Sequence, residues 1–309
     1  MEGESGTRQA VIPPPPDPGD NPMKILITGA RGNFAIALIP QLLATGHDLI
    51  LYDLEPMLAP ENCIAVQADI RDAGALTAAM RDCDAVIHAA SYHADHLETR
   101  NADDYHTVNV NGTQNVLRAM VLNRVKALVY SSSDTVHGDA VRNYHTLDES
   151  VPCLPNSLDD LTFCIGEELC RYYARMHRIH TAILRYGNFR PMDWRREGVR
   201  LLSNGVDRQD VAQANELALG AVLNEDFLCE SFLIRSVCPF ALSDLAELEL
   251  TPAEVVERYY PGATEILHQY ELPVPRVLML HDINKAIETL GYDPQHTFES
   301  FLNQLTLAR

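Results

Sequence analysis

Short apolar runs alternate with longer amphipathic stretches through the first two thirds of the chain. Ile25–Thr28 is an apolar run that enters a glycine turn, and the pattern behind it predicts a helix from about Asn33 to Ala44, closed at Gly46. Further strands are expected at Asp48–Asp53, Cys63–Val66, Ala85–His88, Ala127–Ser132 and Thr181–Arg185, with helices over Ala102–Leu122 and Ser157–Met176. Strands separated by full helices imply βαβ units, a parallel sheet and right-handed crossovers. Beyond residue 188 the pattern loosens. It marks a helix at Gln209–Leu223, a last strand at Glu230–Ser236, and two helices near Pro252–Tyr259 and Asp282–Leu290. The expected fold is α/β, a doubly wound parallel sheet. Residues 23–187 form its first part. Residues 188–309 complete the sheet over about 206–238 and supply a small C-terminal substrate lobe.

A chain of 309 residues can bury one large core or two modest ones. It has no apolar run long enough to span a membrane. Residues 1–22, rich in Pro, Gly and Asp and including Pro13 to Pro16, read as a disordered leader rather than a signal peptide or anchor. The cytoplasm is therefore the expected compartment. The 7 cysteines are scattered without a C-x-x-C, which points to free thiols rather than a disulfide framework or zinc site. Acids outnumber bases 43 to 24, for a net charge of −19, so a nucleic-acid partner is not expected. The lysines are Lys24, Lys126 and Lys285.

The turn after the first strand carries Gly29-x-x-Gly32-x-x-Ala35. Gly29 permits a tight turn, Gly32 lets the backbone approach a pyrophosphate, and the small Ala35 lets helix pack on strand. Phosphates then meet the free N–H groups of a helix N-terminus. Asp53 closes the second strand, where a carboxylate can accept from both ribose hydroxyls and would repel a 2′-phosphate. The cofactor expected is NAD, on a Rossmann-type sheet.

Several further segments occur in an order that resembles the extended short-chain dehydrogenase/reductase family, the sugar-nucleotide epimerases and dehydratases. They are Thr28-Gly-Ala-Arg-Gly-Asn-Phe-Ala35, Ala68-Asp-Ile-Arg-Asp72, Val86-Ile-His-Ala-Ala90, Asn109-Val-Asn-Gly-Thr-Gln-Asn115, Tyr130-Ser-Ser-Ser133, Arg185-Tyr-Gly-Asn188 and His281-Asp-Ile-Asn-Lys-Ala286 with Leu290-Gly-Tyr292. The resemblance implies cofactor contacts from Gly29, Arg31, Gly32, Asn33, Phe34, Asp53, Ala89, Ala90, Asn109 and Ser131, with Asp69 and Ile70 beside the adenine. It also implies a homodimer built on helices 102–122 and 157–177, where Val116, Met120, Leu169 and Tyr173 are apolar at helical spacing. Simple core packing would give that spacing too.

The resemblance breaks at the catalytic pair. Aligned on Gly166-Glu-Glu-Leu169, the family's tyrosine position falls on Asp159 and its lysine position on Phe163. No lysine lies between Lys126 and Lys285, so no shift of register restores the pair. A free tyrosine has a pKa of about 10 and needs a neighbouring ammonium to act as a base near neutrality. Two readings follow: a protein that only binds NAD, or an enzyme whose acid and base come from elsewhere. For the second, Ser133 falls on the family's hydroxyl position, and Asp134 falls on the acid of its dehydratases or else caps a turn. Asp159 stands as a substituted base or as part of a helix cap after Ser157. His88, His93 and His96 follow the fourth strand, and His93 is the candidate acid/base among them. His93-x-x-His96 with Asp95 lacks a third ligand, and no metal is expected.

Only residues 189–205 separate Asn188 from Val206-Asp-Arg-Gln-Asp-Val-Ala212. The resemblance implies that nucleotide-sugar enzymes carry a longer diphosphate-gripping insert there, whereas uronate dehydrogenases have a comparably short one. The substrate expected is a small sugar or nucleoside without a diphosphate, met by Ser91, His93, Ser133, Tyr144, Asn188, Trp194 and Arg195. Arginine there leaves a carboxylate or phosphate possible, and Trp194 either stacks on the substrate or packs. The expected activity is NAD-dependent dehydration or epimerisation by transient oxidation of a hydroxyl. The alternatives are a sugar dehydrogenase or a non-catalytic NAD-binding protein.

Overall fold

The computed structural model describes residues 22–308, so the proline-rich leader, Pro22 apart, lies outside the described residues. The strands are β1 (Lys24–Thr28), β2 (Asp48–Asp53), β3 (Cys63–Gln67), β4 (Ala85–His88), β5 (Ala127–Ser133), the two-residue β6 (Thr146–Leu147), β7 (His180–Tyr186) and β8 (Cys229–Ile234). Seven of them form one all-parallel sheet in the order β3-β2-β1-β4-β5-β7-β8. The order reverses between β1 and β4, and in such sheets a ligand crevice opens beyond the strand ends at that reversal.

The helices of this part are α1 (Ala35–Ala44), α2 (Ala73–Ala79), α3 (Ala102–Tyr105), α4 (Thr113–Asn123), α5 (Leu158–His177), α6 (Trp194–Arg200) and α7 (Arg208–Leu223). Continuous apolar strands suit a sheet covered on both faces. Ile25 and Ile27 of β1 point into one core with Leu38 of α1 and Val211 of α7. Leu26 points into the other, with Leu76 of α2, Val116 of α4 and Cys170 of α5. The single helix expected over 102–122 is wound more loosely in its middle. A π-helical stretch, His106–Gly112, joins α3 to α4, and such stretches recur at functional sites. Here it carries Asn109. Gly112 lies within it, and a Cβ there would come within 2.5 Å of Ile70.

The four residues offered as a dimer face point the other way. Val116 and Met120 are fully buried, and Tyr173 and Leu169 belong to the same core. Outward on these helices stand Leu122, Leu161, Tyr172 and Met176. A third core joins α6 to the C-terminal helices α8 (Leu245–Leu250), α9 (Pro252–Tyr259), α10 (Ala263–Gln269) and α12 (Phe298–Leu307). The remaining helix, α11 (Asn284–Leu290), follows a two-residue strand, β9 (Leu280–His281), paired in parallel with β6. The sequence pattern marks α9 and α11 but not α6, α8, α10 or α12. α8 buries only Leu248, so it has no stripe to read.

Glu167 on α5 is fully buried and joins that helix to the sheet. Its Oε1 accepts from Ser132 Oγ of β5 (2.7 Å) and Arg185 Nε of β7 (2.9 Å), and its Oε2 from Arg185 Nη2 (2.7 Å) and Arg171 Nη2 (2.8 Å). Arg171 also donates to Ser231 Oγ of β8 (3.0 Å). Burial alone would raise the Glu167 pKa, but the two arginines outweigh it and hold the carboxyl below its ordinary range. Glu167→Gln removes the counter-charge from a buried guanidinium and should cost about 3–5 kcal/mol in denaturant unfolding. A depressed pKa contributes stability that is present above the ordinary carboxylate pKa of about 4.3 and is lost as pH falls through the folded value. The acid limb of stability against pH should therefore flatten in the variant. Unchanged midpoints from neutral to acid pH would show that the clamp does not hold the fold.

Candidate active site at the strand ends

A cavity of about 880 Å³ runs across the C-terminal ends of the central strands, at the upper end of the ~300–1,000 Å³ usual for small-molecule sites. The glycine turn after β1 forms one end. Gly29 has φ +69°, and a Cβ there would lie 2.8 Å from the Ala90 nitrogen, so the turn rests directly on the Ala89–Ala90 backbone after β4. Only glycine fits both that conformation and that approach. Thr28 locks the two turns together. Its Oγ1 accepts from the Ala89 and Ala90 N–H groups (3.2 Å each) and lies 2.7 Å from His88 Nδ1. His88 Nε2 lies 2.9 Å from Thr113 Oγ1, which itself donates to the Asn109 carbonyl. Burial pushes the His88 pKa down to about 4. Neutral and held at both nitrogens, His88 is a strut of the site and no acid or base.

Asp53 lies on the cavity wall, with Oδ2 accepting from the Arg31 N–H (2.9 Å) and Oδ1 from the Glu55 N–H (3.0 Å). Asp69 and Ile70 line the same end. The Asp69 carboxylate grips Arg71, whose hydrogen bonds hold its pKa below the usual range. Asn33 donates to the Phe189 carbonyl (2.9 Å), tying the glycine turn to the loop after β7. Phe34 packs against Tyr186 at 6.4 Å. A glycine cradle at a helix start, with a carboxylate at the end of the next strand, fits a dinucleotide. Gly29, Gly32, Asn33, Phe34, Asp53, Asp69, Ile70, Ala89, Ala90 and Ser131 all line the cavity.

Arg31 is off the cavity wall, and its N–H holds Asp53. Its exposed side chain stands 4.0 Å from Glu55. Asn109 lies behind the wall, accepting from the Tyr92 N–H (2.7 Å) and donating to the Tyr92 carbonyl (2.7 Å) and Thr162 Oγ1 (2.8 Å). It holds the Ser91–His93 turn in place.

The far end of the cavity is polar. Ser91, His93, Ser133, Asp134, Asp159 and Asn188 line it, as expected. Phe163 does too, so the vacated lysine position presents a phenyl ring. Ser157 caps α5, accepting from the Asp160 N–H (3.3 Å) and donating to Asp159 Oδ1 (2.7 Å). Asp134 is buried against Arg235, whose Nε (2.7 Å) and Nη2 (2.6 Å) both fall on Oδ2. Burial raises its pKa, and Arg235 opposes the rise. His93 stacks edge-on with His96 at 4.5 Å, and burial lowers its pKa.

Three expected substrate residues lie elsewhere. Tyr144 is exposed in its loop and off the cavity wall. Trp194 packs edge-on against Phe301 at 5.9 Å, and the Arg195 guanidinium covers the Trp194 and Tyr270 rings at 5.5 and 5.1 Å. Both side chains thus make contacts away from the cavity wall, Trp194 remaining 42% exposed. Two other residues stand on the wall instead, one of the arginines between Asn188 and Val206 and an acid of the Ser157 helix cap. Arg190 lines the cavity, paired with Asp95 at 2.8 Å. Asp160, buried and on the wall, accepts a short hydrogen bond from Thr135 Oγ1, which lies 2.7 Å from Ser133 Oγ. Its place in a helix cap concealed this second contact. Burial raises the Asp160 pKa.

Residues 25–190 match the model of the NAD dependent epimerase/dehydratase family, and the chain belongs to that family. Short-chain dehydrogenase/reductase family 42E member 1 of Danio rerio is 40% identical over 134 residues, 42% of this chain and 34% of that protein. The chain thus spans about a third of the length of that relative. Uronate dehydrogenase of Pseudomonas putida is 26% identical over 198 residues, 63% of this chain and 71% of that enzyme. Among solved structures, a short-chain dehydrogenase/reductase superfamily protein from Agrobacterium tumefaciens with bound NAD superposes with a TM-score of 0.71. It is 21% identical and covers 93% of this chain and 97% of its own, a likeness of fold.

Proposed function

We propose that this member of the NAD-dependent epimerase/dehydratase family binds NAD and oxidises a hydroxyl of a small sugar-like substrate. The glycine turn and the start of α1 take the pyrophosphate, and Asp53 takes the ribose hydroxyls. NAD, when bound, supplies a two-electron acceptor beside the substrate carbon. The chain's own task is then the hydroxyl proton, and the observation that carries this reading is the hydrogen-bonded series Ser133–Thr135–Asp160.

Thr135 gives its proton to Asp160 Oδ1, so Ser133 gives its own to Thr135. Ser133 Oγ already accepts from the Thr135 N–H (3.2 Å) and keeps one lone pair for a substrate hydroxyl in the cavity. A proton arriving there can pass by two exchanges to Asp160. Burial brings that carboxylate closer to a useful base strength than an exposed aspartate. The series stands where the tyrosine and lysine are missing, with Asp159 beside it.

Dehydration receives less support, because the acid it needs, Asp134, is clamped to Arg235 through Oδ2. The similarity to a uronate dehydrogenase is compatible with net oxidation. Among the described residues, neither Asp159 nor Asp160 has an ion-pair partner, and Arg190 is shared with Asp95. Arg100 also stands on the wall, so the lining carries both signs and does not select the substrate by charge alone. A non-catalytic NAD-binding protein is the second reading, favoured by the missing lysine alone. A homodimer through α4 and α5 belongs to the proposal, supported by the exposed Leu161, Tyr172 and Met176.

Three measurements test it. The protein should bind NAD in preference to NADP, and Asp53→Ala should erode that preference; equal affinity of the unaltered protein for both would sink the cofactor assignment. With candidate sugars, reduced nicotinamide should accumulate. Asp160→Asn should lower turnover by about a hundred- to ten-thousandfold with NAD binding intact, while Asp134→Asn should lose stability first. Full turnover in Asp160→Asn with a dead but folded Asp134→Asn would return the chemistry to Asp134, and no turnover of any sugar by the unaltered protein supports the second reading. Light scattering should give twice the chain mass, which Tyr172→Asp should reduce; a concentration-independent monomer would exclude the dimer.

A further inference from the structure

Outside the cavity wall, two thiols meet at the start of α5. Cys153 lies in the extended segment that leads into the helix, and Cys164 on its second turn. Both are free and half-buried. They converge around Val136. Cys164 Sγ lies 3.7 Å from the Val136 carbonyl, which also accepts from the Leu154 N–H (3.1 Å) just after Cys153. The segment is tightly seated: a Cβ on Gly138 would come within 2.1 Å of the Leu154 carbonyl.

Arg185 Nη2 donates to Cys153 Sγ at 3.2 Å, and the other Nη faces His137 Nε2 at 3.3 Å. A hydrogen bond from Cys164, before the charge of Arg185, brings the Cys153 pKa down to about 7, while burial and Glu167 oppose the fall. The partner thiol is pushed strongly upward and keeps its proton. Reactive cysteines occupy such electropositive, partly exposed places, and buried structural cysteines do not. Neither thiol has a role in holding NAD or moving the hydroxyl proton.

We infer that Cys153 and Cys164 form a peroxide-reactive dithiol, in which the Cys153 sulfur is oxidised first and Cys164 resolves it. The Cys153 thiolate attacks one oxygen of hydrogen peroxide, the O–O bond breaks, and a sulfenic acid and hydroxide form. The Cys164 sulfur then attacks that sulfur, loses its proton and expels water. The sum is two thiols and one peroxide giving one disulfide and two waters. The resulting bond closes a short loop around Ser157, Asp159 and Asp160, the turn that faces the cavity. Any effect on turnover rests on the proposed role of Asp160, whereas the disulfide itself does not, so the two can fail separately.

The experiment is a non-reducing peptide map of the full chain after hydrogen peroxide at neutral pH. A peptide joining Cys153 to Cys164, lighter by two hydrogens, is expected before modification of the other five cysteines. In Cys164→Ser, a dione probe should instead trap sulfenic acid at Cys153, and Cys153→Ser should give neither product. In the unaltered protein, Cys153 alkylation should titrate with a midpoint near 7. Its rate at neutral pH should exceed that of an ordinary thiol by about threefold, since a larger thiolate fraction is partly offset by lower nucleophilicity. Peroxide oxidising another cysteine first, or leaving Cys153 and Cys164 unjoined in the folded chain, overturns the inference.

Discussion

The buried carboxylate of Glu167 fixes where the rest of the site can stand. An ionised group with no exposure is costly unless its oxygens are filled. Here Ser132, Arg185 and Arg171 fill them from β5, β7 and α5. The requirement sets both the rotation of α5 about its axis and its height above the sheet. Asp159 and Asp160 lie about two turns toward the N-terminus from Glu167, so their presentation to the cavity follows from that one anchor. Arg185 extends the consequence further, because the guanidinium that neutralises Glu167 also reaches the Cys153 sulfur.

The cofactor end depends on a different device. Thr28, His88, Thr113 and Asn109 pass hydrogen bonds from β1 through β4 into the helix that follows, and each group has its partners. A satisfied buried network of this kind keeps two glycine- and alanine-rich turns in fixed contact without side chains in the way. The π-helical stretch brings Asn109 round to hold Tyr92 by both its N–H and its carbonyl. The site is thereby supported by residues that never touch the cavity.

This difference in support explains what could be read in the sequence. The sheet was legible because its central strands carry short apolar runs bounded by turns, and the cofactor end because glycine spacing and a terminal Asp53 are local features. Trp194 and Arg195 misled for the opposite reason. Residue type suggested ligand contact, but the position of α6 is set by Phe301, more than a hundred residues away in the chain. Val116 and Met120 pose the same problem in helical form, since spacing gives a face without saying which surface it meets. Asp160 was hidden by a correct local reading. It does sit in the Ser157 cap, and only the fold brings Thr135 beneath its carboxylate.

The absence of a lysine from this region also changes the electrostatic character of the cavity. A tyrosine–lysine pair places a cation beneath the reacting hydroxyl and lowers the tyrosine pKa by attraction. Phe163 supplies no charge, and Asp159 and Asp160 stand on the same wall. On the proposed reading no lysine lies beneath the reacting hydroxyl, and its proton leaves through hydrogen bonds whose far end can accept it. Ser133 and Thr135 provide two such links and Asp160 the acceptor. Loop length belongs to the same proposal: with only residues 189–205 between Asn188 and Val206, the reading favours a small sugar-like substrate without a diphosphate.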